Sequence, residues 1–384
     1  MSRAIASRGV LKLAFKLLVN DKAKFSALLI GVTFAVFLMV QVTSMFAGVL
    51  DRSSATVTNV GASVWVMDPA VNTVANSIPL PEYVLDATRS MQGVKYAVGL
   101  YSGGALARLS DGTYQSVNVM GLDDVSLVGR PALFEGDIQD IYGDDAFIVV
   151  RDAEYGKLKR PVIGTEFELN DHRAVIVGIA KVAANGLFGV PTLYTTYSRA
   201  ITYLPTTRFT LTYLLVEPKS AADVPAIKAQ VAKLGYLALT AGEFDERIAN
   251  FYKYQTGVGI NIMIMTAIAF IVGLSISGQT FYSFILENLE KFGALKAIGA
   301  RSDELVSMIL FQALFTGFTG YGLGVGISSG LIYLAKLRLP DYAAIVAPWN
   351  LLLAFGMVLV IAGVSSYAGI RRVLRIEPFE IFRG

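Results

Sequence analysis

Residues 289–305 read LEKFGALKAIGARSDEL. The stretch is charged, punctuated by glycine and short, and it joins two long apolar runs, roughly 257–286 and 305–335. A helix crosses the hydrocarbon core of a bilayer with roughly 20 apolar residues, so a charged connector between two such runs marks a membrane-spanning chain. Working outward, two more runs of that length appear, at 25–50 and 349–370. Neither 25–50 nor 257–286 contains a charged residue. Composition agrees: 54% of residues are hydrophobic and 16% charged, whereas ordinary soluble domains carry about a quarter charged residues. The 25–50 run exceeds the apolar core of a cleaved signal peptide, about 7–15 residues, and reads as a signal anchor.

Orientation follows from Lys and Arg near the ends of the spans. The leading segment, 1–24, holds Arg3, Arg8, Lys12, Lys16, Lys22 and Lys24. The connector, 287–304, holds Lys291, Lys296 and Arg301, and the tail, 371–384, holds Arg371, Arg372, Arg375 and Arg383. With four spans all three groups fall on one side, which is then cytoplasmic. The short 336–348 loop and the long 51–256 segment fall outside. The expected architecture is a membrane protein with four transmembrane α-helices and a large mixed α+β extracytoplasmic domain between helices 1 and 2.

The 51–256 segment carries strand patterns in ASVWVMD (62–68), AFIVVRD (146–152), RAVIVGIAKV (173–182) and FTLTYLLVE (209–217), which are β-branched or alternating. Helical patterns lie between them, in PEYVLDATRSM (81–91) and SAADVPAIKAQVAKL (220–234). This order suggests split βαβ units and two subdomains.

Chemistry-bearing constellations are scarce. Cysteine is absent, which excludes disulfides and thiolate metal sites. The single histidine, His172, argues against a histidine metal cluster and reads as a surface turn residue between two strands. Asp123–Asp124 and Asp144–Asp145 are acidic pairs beside glycines, which turn chemistry explains, and they lack the spacing of a calcium loop. No catalytic, cofactor-binding or metal-binding residue is expected. In ANGLFGVPTLYTTYSRA (184–200), Leu187 and Phe188 lie between Gly186 and Gly189. They are either an exposed partner loop or a loop tucked onto the domain core.

Two glycine-rich stretches imitate nucleotide motifs. In GALKAIGARS (293–302), Ala300 and Arg301 follow the second glycine where a phosphate-binding loop needs Lys then Ser or Thr. GYGLGVGISSG (320–330) lies inside a span. Its Gly322, Gly326 and Gly330 recur every four residues, a helix-packing groove. Ser275, Gln279 and Ser283 share a face of span two at the same spacing and suit interhelical hydrogen bonding across a dimer. Nucleic acid is not an expected partner.

Within the opening stretch, Phe292, Leu295 and Ile298 fall on one helical face, with Glu290, Lys291 and Lys296 elsewhere. Gly293, Ala294, Ala297, Gly299 and Ala300 are small and permit close approach. Physics alone leaves two readings open: a membrane-surface connector and a docking knob for a cytoplasmic protein.

EKFGALKAIGARSDEL resembles the segment after the second span of MacB/FtsX-type ABC transporter permeases, the type VII group. Glu290, Gly293, Leu295, Lys296, Ala297, Ile298, Gly299 and Ala300 match that pattern, and Lys291 departs from it by separating Glu290 from Phe292. The segment LKLAFKLLVNDKAKFSALLIGVTFAV (11–36) is similar to the family's amphipathic N-terminal helix and first span. GLDDVSLVGRPALFEGDI (121–138) and LNDHRAVIVGIAKV (169–182) resemble stretches of its extracytoplasmic domain. The tail resembles the family's ending, with its step at Pro378, Phe379 and Glu380. Within the group the chain looks most like the DevC-like permeases.

The resemblance implies a homodimer in the cytoplasmic (inner) membrane, both termini cytoplasmic, in contact with membrane lipids. Because no ATPase is fused to the chain, it implies a separate ABC ATP-binding subunit, which would bind ATP and Mg. The permease itself would not be an enzyme. The 287–304 segment would receive the ATP-driven motion, and spans one and two would carry it outward. The implied activity is export of a lipid, glycolipid or amphipathic small molecule with a membrane-fusion adaptor and an outer-membrane channel. Mechanical signalling to a cell-wall hydrolase, as in FtsX-like proteins, and lipoprotein or haem extraction are the alternatives. The absence of charge at the centres of the spans argues against proton coupling, because intramembrane charges mark ion pathways.

Overall fold

The computed structural model describes residues 2–151, 153–182, 190–204, 211–339 and 342–375. The chain divides into two compact units, one of residues 1–48 with 259–384 and one of residues 49–258. Among the described residues four helices are long and apolar enough to cross a membrane. They are α2 (Lys22–Val60), α7 (Gly257–Glu287), α9 (Ser302–Arg338) and α10 (Pro348–Leu374).

In the membrane unit a leading helix α1 (Ser2–Asn20) stops before Asp21. The Asp21 carboxylate accepts a hydrogen bond from the Lys24 backbone N–H at 3.2 Å. That is the work of an N-cap residue, and it starts α2 as a separate helix. Ala14 and Leu18 of α1 are fully buried. They join a core with Leu28, Phe284, Phe292, Leu305 and Ile309. The Gln312 side-chain amide donates to the Ala14 carbonyl at 2.9 Å, in a buried position, and the rings of Phe15 and Phe315 meet edge-on at 5.2 Å. A polar group buried among apolar side chains is costly unless bonded, so this pair fixes α1 against α9.

The spans approach each other through small residues. A Cβ on Gly324 would stand 2.7 Å from Val36 Cβ, and one on Gly320 2.7 Å from Val32 Cγ1. Gly273 of α7 lies against Ala35. In a membrane no hydrophobic gain drives helix association, so close van der Waals packing decides it. Gly322, Gly326 and Gly330 meet nothing within 4 Å and are exposed. The intrachain groove therefore runs along Gly320, Gly324 and the buried Ser328, two residues out of step with the expected stripe. The cause is rotational: two residues turn a helix by about 200°.

α2 continues past its apolar run, through Asp51 and Arg52 to Val60. Residues 51–60 are rich in Ser, Thr and Val, which are weak helix formers. Burial of Val57 and Val60 in the core of the outer unit offsets that weakness.

The outer unit is built on a ten-stranded sheet among the described residues, in the order β10-β1-β9-β2-β3-β8-β5-β7-β4, with β6 pairing β2 and β7. The strands are β1 (Val64–Met67), β2 (Val94–Arg108), β3 (Tyr114–Leu122), β4 (Leu133–Glu135), β5 (Ala146–Val150), β6 (Glu166–Leu169), β7 (His172–Ala180), β8 (Thr192–Thr196), β9 (Tyr213–Pro218) and β10 (Leu237–Thr240). β2 joins two halves. Val94–Leu100 pair antiparallel with β9, and Tyr101–Arg108 pair antiparallel with β3. Helices α3 (Glu82–Arg89), α4 (Tyr197–Tyr203), α5 (Val224–Lys233) and α6 (Ala241–Asn250) cover the sheet. Trp65 is fully buried, with its ring 5.5 Å from Tyr213 and 5.6 Å from Phe244.

Candidate functional site

The connector between α7 and α9 is built around a buried break. Asn288 is 3% exposed. Its side-chain amide donates to the Phe284 carbonyl at 2.8 Å, and its Oδ1 accepts from Lys291 Nζ at 2.8 Å. The break ends α7 and starts α8 (Leu289–Ala297). At this end of the unit Lys24 forms an ion pair with Glu287, linking the start of α2 to the end of α7.

α8 is anchored by Phe292, which is fully buried, and by Gly293. Leu295 and Ala300 pack against the same cluster. The helix then closes in two reciprocal hydrogen bonds: Gly299 N–H donates to Lys296 O at 3.1 Å, and Ala300 N–H to Leu295 O at 2.9 Å. This is the Schellman stop, which needs a left-handed residue just past the helix. Gly299 supplies it with φ +105, a conformation that costs glycine little.

The stop corrects one expectation. Ile298 does not share the buried face of Phe292 and Leu295; it is 86% exposed. Ile298 is itself still right-handed at φ −76 and caps the helix; six residues beyond Phe292, it lies about 120° around the helix axis from that buried ring, at the tip where the chain turns away at Gly299. Ala297 and Gly299 are exposed beside it, as is Glu290. Lys296 reaches the other way, donating to the Leu374 carbonyl of α10 at 3.1 Å. α9 then opens with Asp303 and Glu304 in its first turn, and Glu304 Oε2 accepts from Arg301 N–H at 2.9 Å. Negative charge there suits the helix N-terminus.

The connector is thus a rigid, braced knob with a small apolar tip. Its base touches elements at both ends of the bundle's chain order, α1 through the shared cluster and α10 through Lys296.

At the other end of the membrane unit, polar residues that the sequence reading passed over draw α2, α9 and the loop before α10 together. Ser328 Oγ donates to Gln41 Oε1 at 3.1 Å, and Gln41 also bonds the Tyr342 hydroxyl. Ile345 N–H donates to the Ser44 carbonyl at 2.8 Å. Buried Asn350 lies 3.4 Å from Ser44 Oγ. The available signal was one amide, Gln41, inside an otherwise apolar run.

The remaining candidates fall elsewhere. Ser275 and Gln279 are exposed on α7 and Ser283 is half-buried, whereas the bundle buries Ser277 of the same helix. Leu187 and Phe188 lie outside the described residues, as does the step at Pro378, Phe379 and Glu380. His172 opens β7 after a turn with Asn170 at φ 47 and Asp171 at φ 68, and its ring packs 4.8 Å from Tyr203. Asp123 accepts from Ser126 and Asp124 from Ser198 at the start of α4, so both serve turns and helix ends.

Two family models match the chain. The MacB-like periplasmic core domain matches residues 26–234, more than half of the chain. The FtsX-like permease C-terminal model matches residues 262–378. An uncharacterised ABC transporter permease of Mycobacterium tuberculosis is 25% identical over 349 residues, covering 89% of this chain and 90% of the relative. The macrolide export ATP-binding/permease protein MacB of Photorhabdus laumondii is 23% identical over 141 residues, 36% of this chain and 22% of that protein. Among solved structures, the extracellular domain of the noncanonic ABC-type transporter YknZ from Gram-positive bacteria aligns with a TM-score of 0.36 and 15% identity, over 47% of this chain and 99% of that domain.

Proposed function

The chain belongs to the MacB/FtsX family of ABC transporter permeases, and from that premise we propose that it is the permease of an ATP-driven exporter. A separate ABC subunit binds and hydrolyses ATP with Mg. The 297–299 tip receives that subunit's motion, and α2 and α7 pass it to the outer domain. The cargo is a lipid, glycolipid or amphipathic small molecule, handed to an adaptor and an outer-membrane channel. The permease works as a homodimer in the inner membrane, with the connector and both termini cytoplasmic.

The observation that carries this reading is the pairing of an exposed, braced tip with a continuous helix. Ile298 is the exposed point of a connector whose base is buried. α2 runs unbroken from Lys22 to Val60, and its last turn lies in the outer core. An α-helix rises about 1.5 Å per residue, so α2 offers an unbroken path for displacement along its axis.

A pull-down of the tagged chain from native membranes in mild detergent tests this. Recovery of an ATP-binding subunit with a membrane-fusion adaptor supports export. Recovery of an ATP-binding subunit with a cell-wall hydrolase replaces export with mechanical signalling. Absence of any ATP-binding subunit sinks both.

A further inference from the structure

A small cavity lies inside the membrane unit, where the four spans meet. It measures about 20 Å³ and is lined by residues of all four, among them Leu28 of α2, Ser277 and Phe281 of α7, Thr316 of α9 and Ser365 of α10. Every residue lining it is buried. The four helices around it are described along their whole length. Ser277 precedes the end of α7 at Glu287 by ten residues, about 15 Å along the axis. The cavity therefore lies within the hydrocarbon core, which is roughly 30 Å thick.

Two hydroxyls at this cavity break a local habit. A serine or threonine within a helix ordinarily turns its hydroxyl onto a carbonyl three or four residues earlier. Thr266 does so onto Ile262 O at 2.8 Å, Thr319 onto Phe315 O at 2.8 Å and Ser366 onto Gly363 O at 2.9 Å. Ser277 and Ser365 do not. They are 3% and 5% exposed, and neither hydroxyl has a hydrogen-bond partner among the described residues. The Ser365 hydroxyl faces α7, 3.7 Å from where a Cβ on Gly278 would stand. The Ser277 hydroxyl faces α2, 3.9 Å from where a Cβ on Gly31 would stand. Thr316 differs: its Oγ1 donates to Gln312 O at 2.9 Å, so it keeps only its capacity to accept.

These features select the occupant. A hydroxyl buried without a hydrogen bond is costly, and the hydrocarbon core supplies no bulk water to bond it. A polar void holds a water when it offers about 10–15 Å³ and two to four polar groups. This one offers about 20 Å³ and hydroxyls from three helices. Ser277 and Ser365 can both donate to one water oxygen, and that water can donate to Thr316 Oγ1. A cation fits poorly, because no Asp or Glu lines the cavity and a buried unpaired charge is costly. Organic ligands need far more room, about 300 Å³ or more.

We propose that this cavity binds one water molecule, which bridges Ser277 of α7, Thr316 of α9 and Ser365 of α10. The water links side chains that make no direct bond to each other, and a bridging water is enthalpically nearly as good as a direct hydrogen bond. Three spans thereby share one polar joint inside an otherwise apolar bundle, whatever the cargo.

The test is radiolytic labelling of the full chain in nanodiscs, in which an X-ray pulse converts a held water into hydroxyl radicals that mark the side chain beside it. Phe281 is the reporter, since it lines the cavity and is 2% exposed. Phe292 of α8 is the control, since it is fully buried and does not line the cavity. In the wild type Phe281 should be labelled at least fivefold more than Phe292. Ser277→Ala and Ser365→Ala add no atoms and should fold. The double variant leaves an almost apolar void, and apolar voids stay dry, so its Phe281 labelling should fall to the level of Phe292. Each single variant takes one bond from the water and should lower the melting temperature. Equal labelling of the two rings in the wild type, or undiminished Phe281 labelling in the double variant, overturns the proposal. So does a melting temperature that is unchanged or raised in both single variants; a rise is what removing hydroxyls with no partner at all would give.

Discussion

Ile298 and Gly299 carry the sharpest single-residue predictions. Ile298→Ser removes an apolar group that is 86% exposed, so the melting temperature should stay within a degree or two of wild type. Stimulation of the partner ATPase should fall several-fold, and unchanged stimulation would remove the tip from the coupling path. Gly299→Val should behave differently. A β-branched residue at φ +105 is strained by about 1–3 kcal/mol, so thermal stability and stimulation should fall together. In the outer unit, Glu243 closes a capping box with Thr240 at the start of α6 and pairs with Lys228. Lys228, with the Thr240 N–H, holds its carboxyl below the usual glutamate range. A lowered folded-state value means that this contribution is full above the unfolded glutamate value, about 4.3. It is lost as pH falls from there through the folded value. Glu243→Gln should flatten that part of the melting-temperature profile on the acid side. Equal slopes for variant and wild type would show that the pair contributes nothing.

The helices make their own distinction, because two glycine stripes on α9 differ only in rotation. Gly324→Leu drives a side chain into Val36 and the Thr33 carbonyl. Overpacking of this kind costs about 1–3 kcal/mol, and a yield and melting-temperature series in detergent should show it. Gly326→Leu points into open space within the chain and should leave the isolated subunit's stability unchanged. Under the proposed homodimer, crosslinking between copies is then the informative readout for Gly326→Leu, since an exposed stripe of small residues can meet another helix. Gly48 sits where the backbone of the loop before α10 presses on α2, and a Cβ there would overlap the Ala343 carbonyl. Spacing in the sequence identified glycines at intervals of four, but spacing does not say which of two interleaved stripes faces the bundle.

For the whole molecule, the two units are separately compact, each with its own buried clusters. Trp65→Ala empties the aromatic centre of the outer unit, where Tyr213 meets the indole edge-on and Phe244 packs tilted against it. Loss of a large buried aromatic costs about 3–5 kcal/mol. Limited proteolysis should then cut within residues 61–250 while fragments containing α9 and α10 survive. Simultaneous loss of both units would instead mean that they fold as one cooperative body.

The four spans were readable from local sequence, because a bilayer demands about 20 apolar residues of any helix that crosses it. Family membership followed from short motifs such as GALKAIGA (293–300), which are local too. Several strands and helices of the outer unit were legible from periodicity, as at Val64–Met67 and Val224–Lys233. The joining of both halves through β2 was not, since strand pairing is set by partners far along the chain. The exposure of Ile298 was equally hidden: its three-residue spacing from Leu295 suggested a buried face, but it caps α8 where the chain leaves the buried cluster. A groove in the outer unit gathers Ser53, Asn76, Asn118 and Tyr252, residues scattered over about 200 positions. Ordinary serines, asparagines and glycines carry no signal individually. Only the folded sheet brings them together, because strand pairing sets residues far apart in sequence side by side.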